Sequence, residues 1–596
     1  MTKKITPIDY TSRDFQSIRA DLLSYVKRYY SDIYKDFNEA SFGSLMVDTV
    51  AYVGDILSFY LDYNVNESFL DTALEYDNVV RHARQMGYKF SGTPLTHGQC
   101  TFYAMIPSED NSTLPDRRYI PKLLKGTRVA TDGGTSFTLN EDVNFLNPAN
   151  EVVVARVDEN GFPTFYAIKS YGTVVSGEMV EHVTEVGAYE RFLRIEVPGD
   201  NISEIVEVLD SEGNNYYQVD YLSQDTVYRS IKNTGNDKTT VANILKPFAV
   251  PRRFVVEKEK ERIFLQFGYG SEDELLTNSV VDPSSITLKV HGKNYETKSS
   301  FDPAKLTKTD KFGVAPSNTT LYVRYRVNTN DNSNASTGAI SKIAEPIISY
   351  ENRAVLDAKK VAIIAQNLEV VNEEPIMGNI TLPSTEELKR RAIDTFATQS
   401  RAVTKQDYVS IIYAMPAKYG AIKRCTAYRD DNDLKRNINI YTLSESSTGK
   451  LIRSNDTIKE NLKVWLNSVK MIGDTIELLD ARIINLGIEF EILAEEDANK
   501  YDLLVSSTQK IVDDVVRIPE VGENFYISDI FKTLKDVEGI LDVVNIRINV
   551  KSGGNYSDSS FVVREHLSPN GRQLMMPKNA IWEIKYPFND ITGTIK

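Results

Sequence analysis

Few stretches of this chain carry residues whose type and spacing could do chemistry. Thr448-Gly449-Lys450 pairs glycine with lysine as a phosphate-cradling loop does. Leu451 stands where a hydroxyl would hold magnesium, however, and Ser444 stands where the first glycine belongs. Gly268-Tyr269-Gly270 has two glycines of a dinucleotide turn but Asp273 in place of the third, so it reads as a strand-end turn. Asp430-Asp431-Asn432-Asp433 opens like a calcium loop, yet Lys435 or Arg436 falls where the sharp bend needs glycine, which leaves a solvated acidic loop. His82, His97, His182, His291 and His566 are scattered, with no spacing that puts two ligands on one face, and read as structural. No Gly-x-Ser-x-Gly elbow occurs, and 83 acidic residues defeat any choice of a catalytic carboxylate pair by spacing. No catalytic, cofactor or metal site is therefore expected, and an interaction protein is the favoured class over an enzyme.

One helical stretch does carry a pattern. Leu45, Tyr52 and Phe59 recur every seven residues, and Asp48, Asp55 and Asp62 recur three behind each of them. A seven-residue spacing drifts only about 20° per repeat, so the two series form nearly axial stripes, one largely aromatic and one acidic. A further seam, Met46-Val50-Val53-Leu57-Tyr60, gives the helix apolar character on more than one face, as in a helix enclosed by several others. Two readings stay open. The helix belongs either to an intramolecular bundle, with its acidic stripe solvated or paired with Arg81 and Arg84, or to a bundle completed by partners. Thirty-three tyrosines against two tryptophans fit an interface, and also a β core.

The elements that position these residues follow from periodicity. Residues 1–92 repeat at three and four and read as helical, with hydroxyl–carboxylate caps at Thr11/Asp14 and Ser68/Asp71, a third helix from Phe69 to Met86, and Gly87 behind it. Residues 93–345 alternate with period two, as in Phe192 to Val197, Ile286 to His291 and Leu321 to Val327, and form a β-rich middle with an inserted β subdomain expected at about 141–250. Residues 346–596 return to mixed helices and strands, with caps at Ser384/Glu387 and Thr404/Asp407. The expected elements there are strand Ala481 to Leu493, helix Tyr501 to Val516, helix Ser528 to Val537 and strand Leu541 to Val550. The fold class is multidomain α+β. With 596 residues, ordinary globular composition and no low-complexity run, the chain can bury several cores. Its 69 basic and 83 acidic residues leave a net charge of −14, which argues against a nucleic-acid partner. Cys100 and Cys425 supply neither a disulfide framework nor a thiolate metal cage, and reducing cytoplasm is the expected folding compartment. No signal peptide and no membrane span are expected, since Asp55 interrupts the best apolar stretch, Val50 to Leu61.

Several runs now permit a comparison. They are Asp9-Tyr10-Thr11-Ser12-Arg13-Asp14-Phe15, Asp36-Phe37-Asn38-Glu39, Ala51-Tyr52-Val53-Gly54-Asp55-Ile56-Leu57-Ser58-Phe59-Tyr60-Leu61-Asp62, Glu67-Ser68-Phe69-Leu70-Asp71-Thr72-Ala73 and Gly87-Tyr88. Together they strongly resemble the baseplate wedge protein of contractile-tailed bacteriophages, the baseplate J-like family. Shorter pieces extend the likeness downstream: Phe267-Gly268-Tyr269-Gly270, Asn372-Glu373-Glu374-Pro375-Ile376 and Arg401-Ala402-Val403-Thr404-Lys405-Gln406-Asp407-Tyr408. The chain departs from the family at Phe42, where proline is expected before Gly43. The resemblance implies a structural virion subunit assembled in the host cytoplasm. Copies would pair and join into a ring around the tail hub, linking wedge subunits to one another and to the inner baseplate, and would rearrange when the sheath contracts. It also implies that the N-terminal helices join a bundle with other wedge proteins and that the C-terminal half makes contacts between copies. Asp48, Tyr52, Asp55, Phe59, Asp62, Arg81 and Arg84 are the candidate interface residues of that bundle. The alternative is a tail-associated protein that binds or degrades glycans.

Overall fold

A computed structural model describes residues 14–30, 41–89, 94–109, 114–148, 150–159, 162–232, 243–259, 262–271, 312–328, 333–378, 383–429, 437–446, 448–471, 473–495 and 498–596. Asp9 to Arg13, Asp36 to Glu39, Ile286 to His291 and Asp430 to Asp433 lie outside these residues. The longer helices, in chain order, are α1 (Phe15–Tyr29), α2 (Phe42–Glu67), α3 (Tyr76–Gln85), α4 (Ala358–Gln366), α5 (Thr385–Thr398), α6 (Lys405–Tyr413), α7 (Asp456–Asn467), α8 (Lys500–Val515) and α9 (Ile527–Lys535). The architecture is an N-terminal helical segment, a β-rich middle and a mixed α+β C-terminal region. The chain divides into two compact units, Met1–Phe90 with Pro383–Gln399, and Ser91–Leu382 with Ser400–Lys596.

The first unit is helical and draws α5 from a distant part of the sequence. Asp14 itself caps α1, its carboxylate accepting the Ser17 amide at 2.9 Å, so the helix starts one residue after the carboxylate expected to sit inside it. Thr11 lies outside the described residues. Ser68 likewise does not open a helix. It closes α2, and α3 begins only at Tyr76 behind Glu75. The physical reason is Glu67, whose carboxylate takes the Leu74 amide at 2.7 Å, the Glu75 amide at 3.3 Å and the Asn78 side-chain amide at 2.8 Å. These bonds organise the turn into α3 without a hydroxyl cap. At the far end Gly87 adopts φ +92°, with its amide on the Arg84 carbonyl and that of Tyr88 on Ala83, a left-handed helix stop that glycine accepts without Cβ strain.

In the second unit, strand His97–Pro107 runs antiparallel to Pro163–Ser176 over its whole length, from His97 opposite Val175 to Pro107 opposite Phe165. Ser136–Leu139, Arg128–Thr131 and Ile340–Glu345 extend one side of this sheet and Glu369–Val371 the other. Phe102, Ile106, Leu123, Phe137, Leu139 and Phe145 form its core. The chain leaves at Ser176, builds a second seven-stranded sheet between Glu178 and Val327 around Val208, Phe254, Leu265, Phe267 and Val323, and returns at Ile340. In that sheet Arg253–Glu259 and Arg262–Phe267 pair antiparallel, with Phe254 opposite Phe267. The C-terminal elements lie close to where periodicity placed them. Strand Arg482–Ala494 pairs antiparallel with Ile540–Lys551 and parallel with Ala580–Glu583 and Ile591–Ile595. Leu503 and Ile511 of α8 and Ile530 and Leu534 of α9 cover Ile484, Leu486, Ile488 and Phe490 of that sheet. Ser384 caps α5, and Thr404 with Asp407 forms the reciprocal capping box of α6.

Candidate interaction face on the N-terminal helical unit

The first question about α2 is how much of it the chain itself covers. Of its 26 residues only Ser44, Ala51 and Glu67 are buried. Small residues face α1: Ser44, bonded by Arg19, and Gly54, against Ile18. Arg19 of α1 reaches across as an ion pair to Asp48 and donates a second bond to the Ser44 hydroxyl at 3.4 Å. Asp48 therefore ties α1 to α2, and the partner anticipated for the acidic stripe comes from α1 rather than from Arg81 or Arg84. Those two arginines stand exposed on α3, and neither is ion-paired among the described residues. Asp55 is half-buried and has no ion pair among the described residues, whereas Asp62 makes contacts within the chain.

The large apolar residues point away from this contact. Leu45, Tyr52 and Phe59 are 60%, 59% and 44% exposed, and the neighbouring seam of Met46, Val50, Val53, Leu57 and Tyr60 is 48–57% exposed. A helix in a finished soluble fold hides its apolar stripe and shows a polar one. This helix, about 39 Å long at 1.5 Å per residue, shows apolar surface along two seams at once, far more than the isolated apolar residues found on any surface. Phe59 stacks on Tyr63 at 6.2 Å with 20° between the rings, and the Tyr63 hydroxyl donates to Glu75 at 3.1 Å, so the aromatic stripe is anchored to the start of α3.

The opposite end of α2 is closed. Burial alone would raise the Glu67 carboxyl, but hydrogen bonds from Asn78, Leu74 and Glu75 and the charge of Lys389 hold it below the ordinary carboxylate range. The Lys389 ammonium of α5 donates to the Asp71 carbonyl at 3.0 Å, and His82 bonds the Glu67 carbonyl at 2.8 Å. Arg391 pairs with Glu387 at 2.7 Å and bonds Tyr88, while burial pushes the Tyr76 hydroxyl up to about 12. The unit thus has a locked corner built from α3, α5 and the end of α2, and an open apolar rod leading away from it.

Three of the other sequence candidates hold local structure. Thr448-Gly449-Lys450 is the tight turn of a hairpin, with Gly449 at φ +76° and the Ser446 amide on the Lys450 carbonyl at 2.8 Å. Gly268 lies so close to the backbone opposite that a Cβ would sit 2.2 Å from the Phe312 carbonyl oxygen. His97 bonds the Lys418 carbonyl at 3.0 Å, and burial pushes its imidazole down to about 4. Among the described residues no group of three or more His, Cys, Asp or Glu side chains could hold a metal ion.

Residues 14–85, which hold α1, α2 and α3, match the family profile described as bacteriophage baseplate protein, N-terminal domain. The three helices of this segment are thus similar to the N-terminal domain of bacteriophage baseplate proteins. Among solved structures, a chain of the anti-feeding prophage baseplate, from a six-fold symmetrised cryo-EM structure, aligns with 94% of this chain and 90% of its own at 10% identity and a TM-score of 0.24. No curated protein matches the chain. Within the matched segment, α2 is also long and apolar enough to cross a membrane by length and composition. Asp55 and Asp62 oppose that reading, since a carboxylate at the bilayer centre costs about 2.5–3.5 kcal/mol even on insertion scales. In a bundle of helices the same carboxylates can meet cations.

Sequence reading found the apolar and acidic stripes of α2 but missed Arg19, Ser44, Glu67 and Lys389. Arg19 and Ser44 had a signal, because Ser44 and Ala51 repeat at seven residues as a small-residue stripe that a neighbouring helix fits. Lys389 had none, lying more than three hundred positions from its acceptor Asp71.

Proposed function

We propose that this chain is a structural subunit of a contractile-tail baseplate, acting in the wedge or inner ring, and that α2 is the rod on which helices of neighbouring baseplate proteins assemble. The observation that carries this is the exposure of both apolar seams of α2 beside a locked corner: the helix is held rigidly at one end and left uncovered along the rest. Partner helices would cover Leu45, Tyr52 and Phe59 on one side and Val50, Val53 and Leu57 on the other, in the knobs-into-holes manner that a seven-residue repeat favours. Asp55, unpaired among the described residues, would set the register by meeting a lysine or arginine of a partner helix. Arg81 and Arg84, exposed on α3, would offer positive charge to acidic partner residues. In this reading copies pair, form a ring around the hub, and change their mutual contacts when the sheath contracts.

The test is the solution mass of the full-length chain, alone and mixed with the other baseplate proteins encoded beside it. Growth from a mass of about twice the 67.3 kDa chain into a defined larger complex supports the reading. A monomer indifferent to every such protein overturns it, and glycan binding and hydrolysis assays would then address the alternative.

A further inference from the structure

A second surface, in the other unit, is as unusual as α2. Strand Val152–Val157 has the sequence Val-Val-Val-Ala-Arg-Val, and all six of its residues are exposed. Val152, Val153 and Val154 are each about half exposed although they alternate between the two faces of the strand. A run of β-branched residues on both faces is the composition of a strand covered on both sides, and here all six residues are exposed. The strand pairs only with Pro163–Ser176, which leaves its other edge free among the described residues.

The free edge has a definite hydrogen-bonding pattern. The Lys169 amide donates to the Glu151 carbonyl at 3.0 Å, so by the alternation of an antiparallel ladder Val153 also bonds inward. The backbone groups of Val152 and Val154 then face outward. Beyond Val154 the register shifts by a bulge, which ends the regular edge. We infer that this edge pairs with the same edge of a second copy of the chain, antiparallel, about a two-fold axis through Val153. In that register Val152 of each copy lies opposite Val154 of the other, and their four outward donors and four outward acceptors pair completely. Val153 faces Val153, Glu151 faces Ala155, and Asn150 faces Arg156. Valine meets valine on both faces, and no like charges are opposed. The edge is thus complementary to itself in backbone groups, apolar side chains and charge. Edges of this kind are ordinarily blunted by charge or proline, and between Val152 and Ala155 this one carries neither. The inference is independent of the bundle on α2, because it concerns a different unit and different residues.

The register makes a sharp test by cysteine cross-linking of the full-length chain. The two native cysteines are buried and do not compete. Val153 opposite Val153 is a pair without hydrogen bonds, with Cα atoms about 4.5 Å apart, within the range a disulfide spans. Val153→Cys should therefore give a disulfide dimer under mild oxidation, and Val152→Cys, whose counterpart lies beyond about 7 Å, should cross-link roughly tenfold more slowly. Both variants should melt with the wild type, since both positions are exposed. A folded Val153→Cys protein that stays monomeric, or equal cross-linking of the two variants, would overturn the proposal. Protection of this edge only in the presence of another baseplate protein would also overturn it, by assigning the edge to a foreign strand.

Discussion

Replacing Tyr52 and Phe59 together by alanine separates a helix that is core from a helix that waits for partners. In the free chain these side chains keep 59% and 44% of their surface accessible, so folding has little of them left to lose. Exposed substitutions generally change stability by within about 0.5 kcal/mol. Loss of the Phe59–Tyr63 stack removes about 0.5–1.5 kcal/mol, and the better helix propensity of alanine returns roughly half a kcal/mol per site. The folded chain should therefore melt within a few degrees of wild type. Assembly should respond differently. An aromatic side chain buries about 150–250 Å² when fully covered, so the pair has on the order of 200 Å² still to bury against partner helices. At about 25 cal/mol per Å² this is about 5 kcal/mol, or a loss of roughly a thousandfold or more in affinity. Circular dichroism melting reads the first quantity, and calorimetric titration with the other baseplate proteins reads the second. A collapse of the melting transition with unchanged partner affinity would refute the reasoning, because it would make Tyr52 and Phe59 internal core residues.

Two further outcomes follow from the interior. Glu67→Gln replaces the carboxylate that binds Leu74, Glu75 and Asn78, and should cost about 1–3 kcal/mol as charge-assisted bonds become neutral ones. Because the folded carboxyl titrates below its ordinary 4.5, its stabilisation is complete above that value and is lost as pH falls through the lowered folded pKa. The wild-type helical unit should thus lose stability in acid more steeply than Glu67→Gln, and parallel pH profiles would contradict this. Gly268→Ala places a methyl group 2.2 Å from the Phe312 carbonyl oxygen and should destabilise the second sheet by about 3 kcal/mol or more, which differential scanning calorimetry would detect as a lowered transition. An unchanged transition would mean that this backbone approach opens freely.

Much of this architecture was legible in sequence because the signals are local. The C-terminal strands and helices followed from periods of two and three to four, and the Thr404/Asp407 capping box is a reciprocal bond that two residue types three apart are enough to specify. The same signature misled at Ser68/Asp71, where Glu67, one residue earlier, outcompetes the hydroxyl for the amides ahead of α3. Long-range assembly left no such mark. That α5 completes the N-terminal unit depends on packing between segments about three hundred residues apart, and neither Leu388 nor Lys389 announces its neighbour. The interaction face was half legible. Its heptad stripes were visible, but only the structure shows that α1 occupies the small-residue side, takes Asp48 through Arg19, and leaves the aromatic side uncovered. The exposed edge at Val152–Val157 escaped notice because a valine-rich strand reads the same whether buried or bare.

The most direct test of the central claim is hydroxyl-radical footprinting of α2 in the free full-length chain and in assembled baseplates. The account predicts that Tyr52, Phe59 and Tyr60 are modified rapidly in the free chain and become protected on assembly, while buried Tyr88 is protected in both states. Equal modification of the three exposed aromatics in the free and assembled states would contradict it.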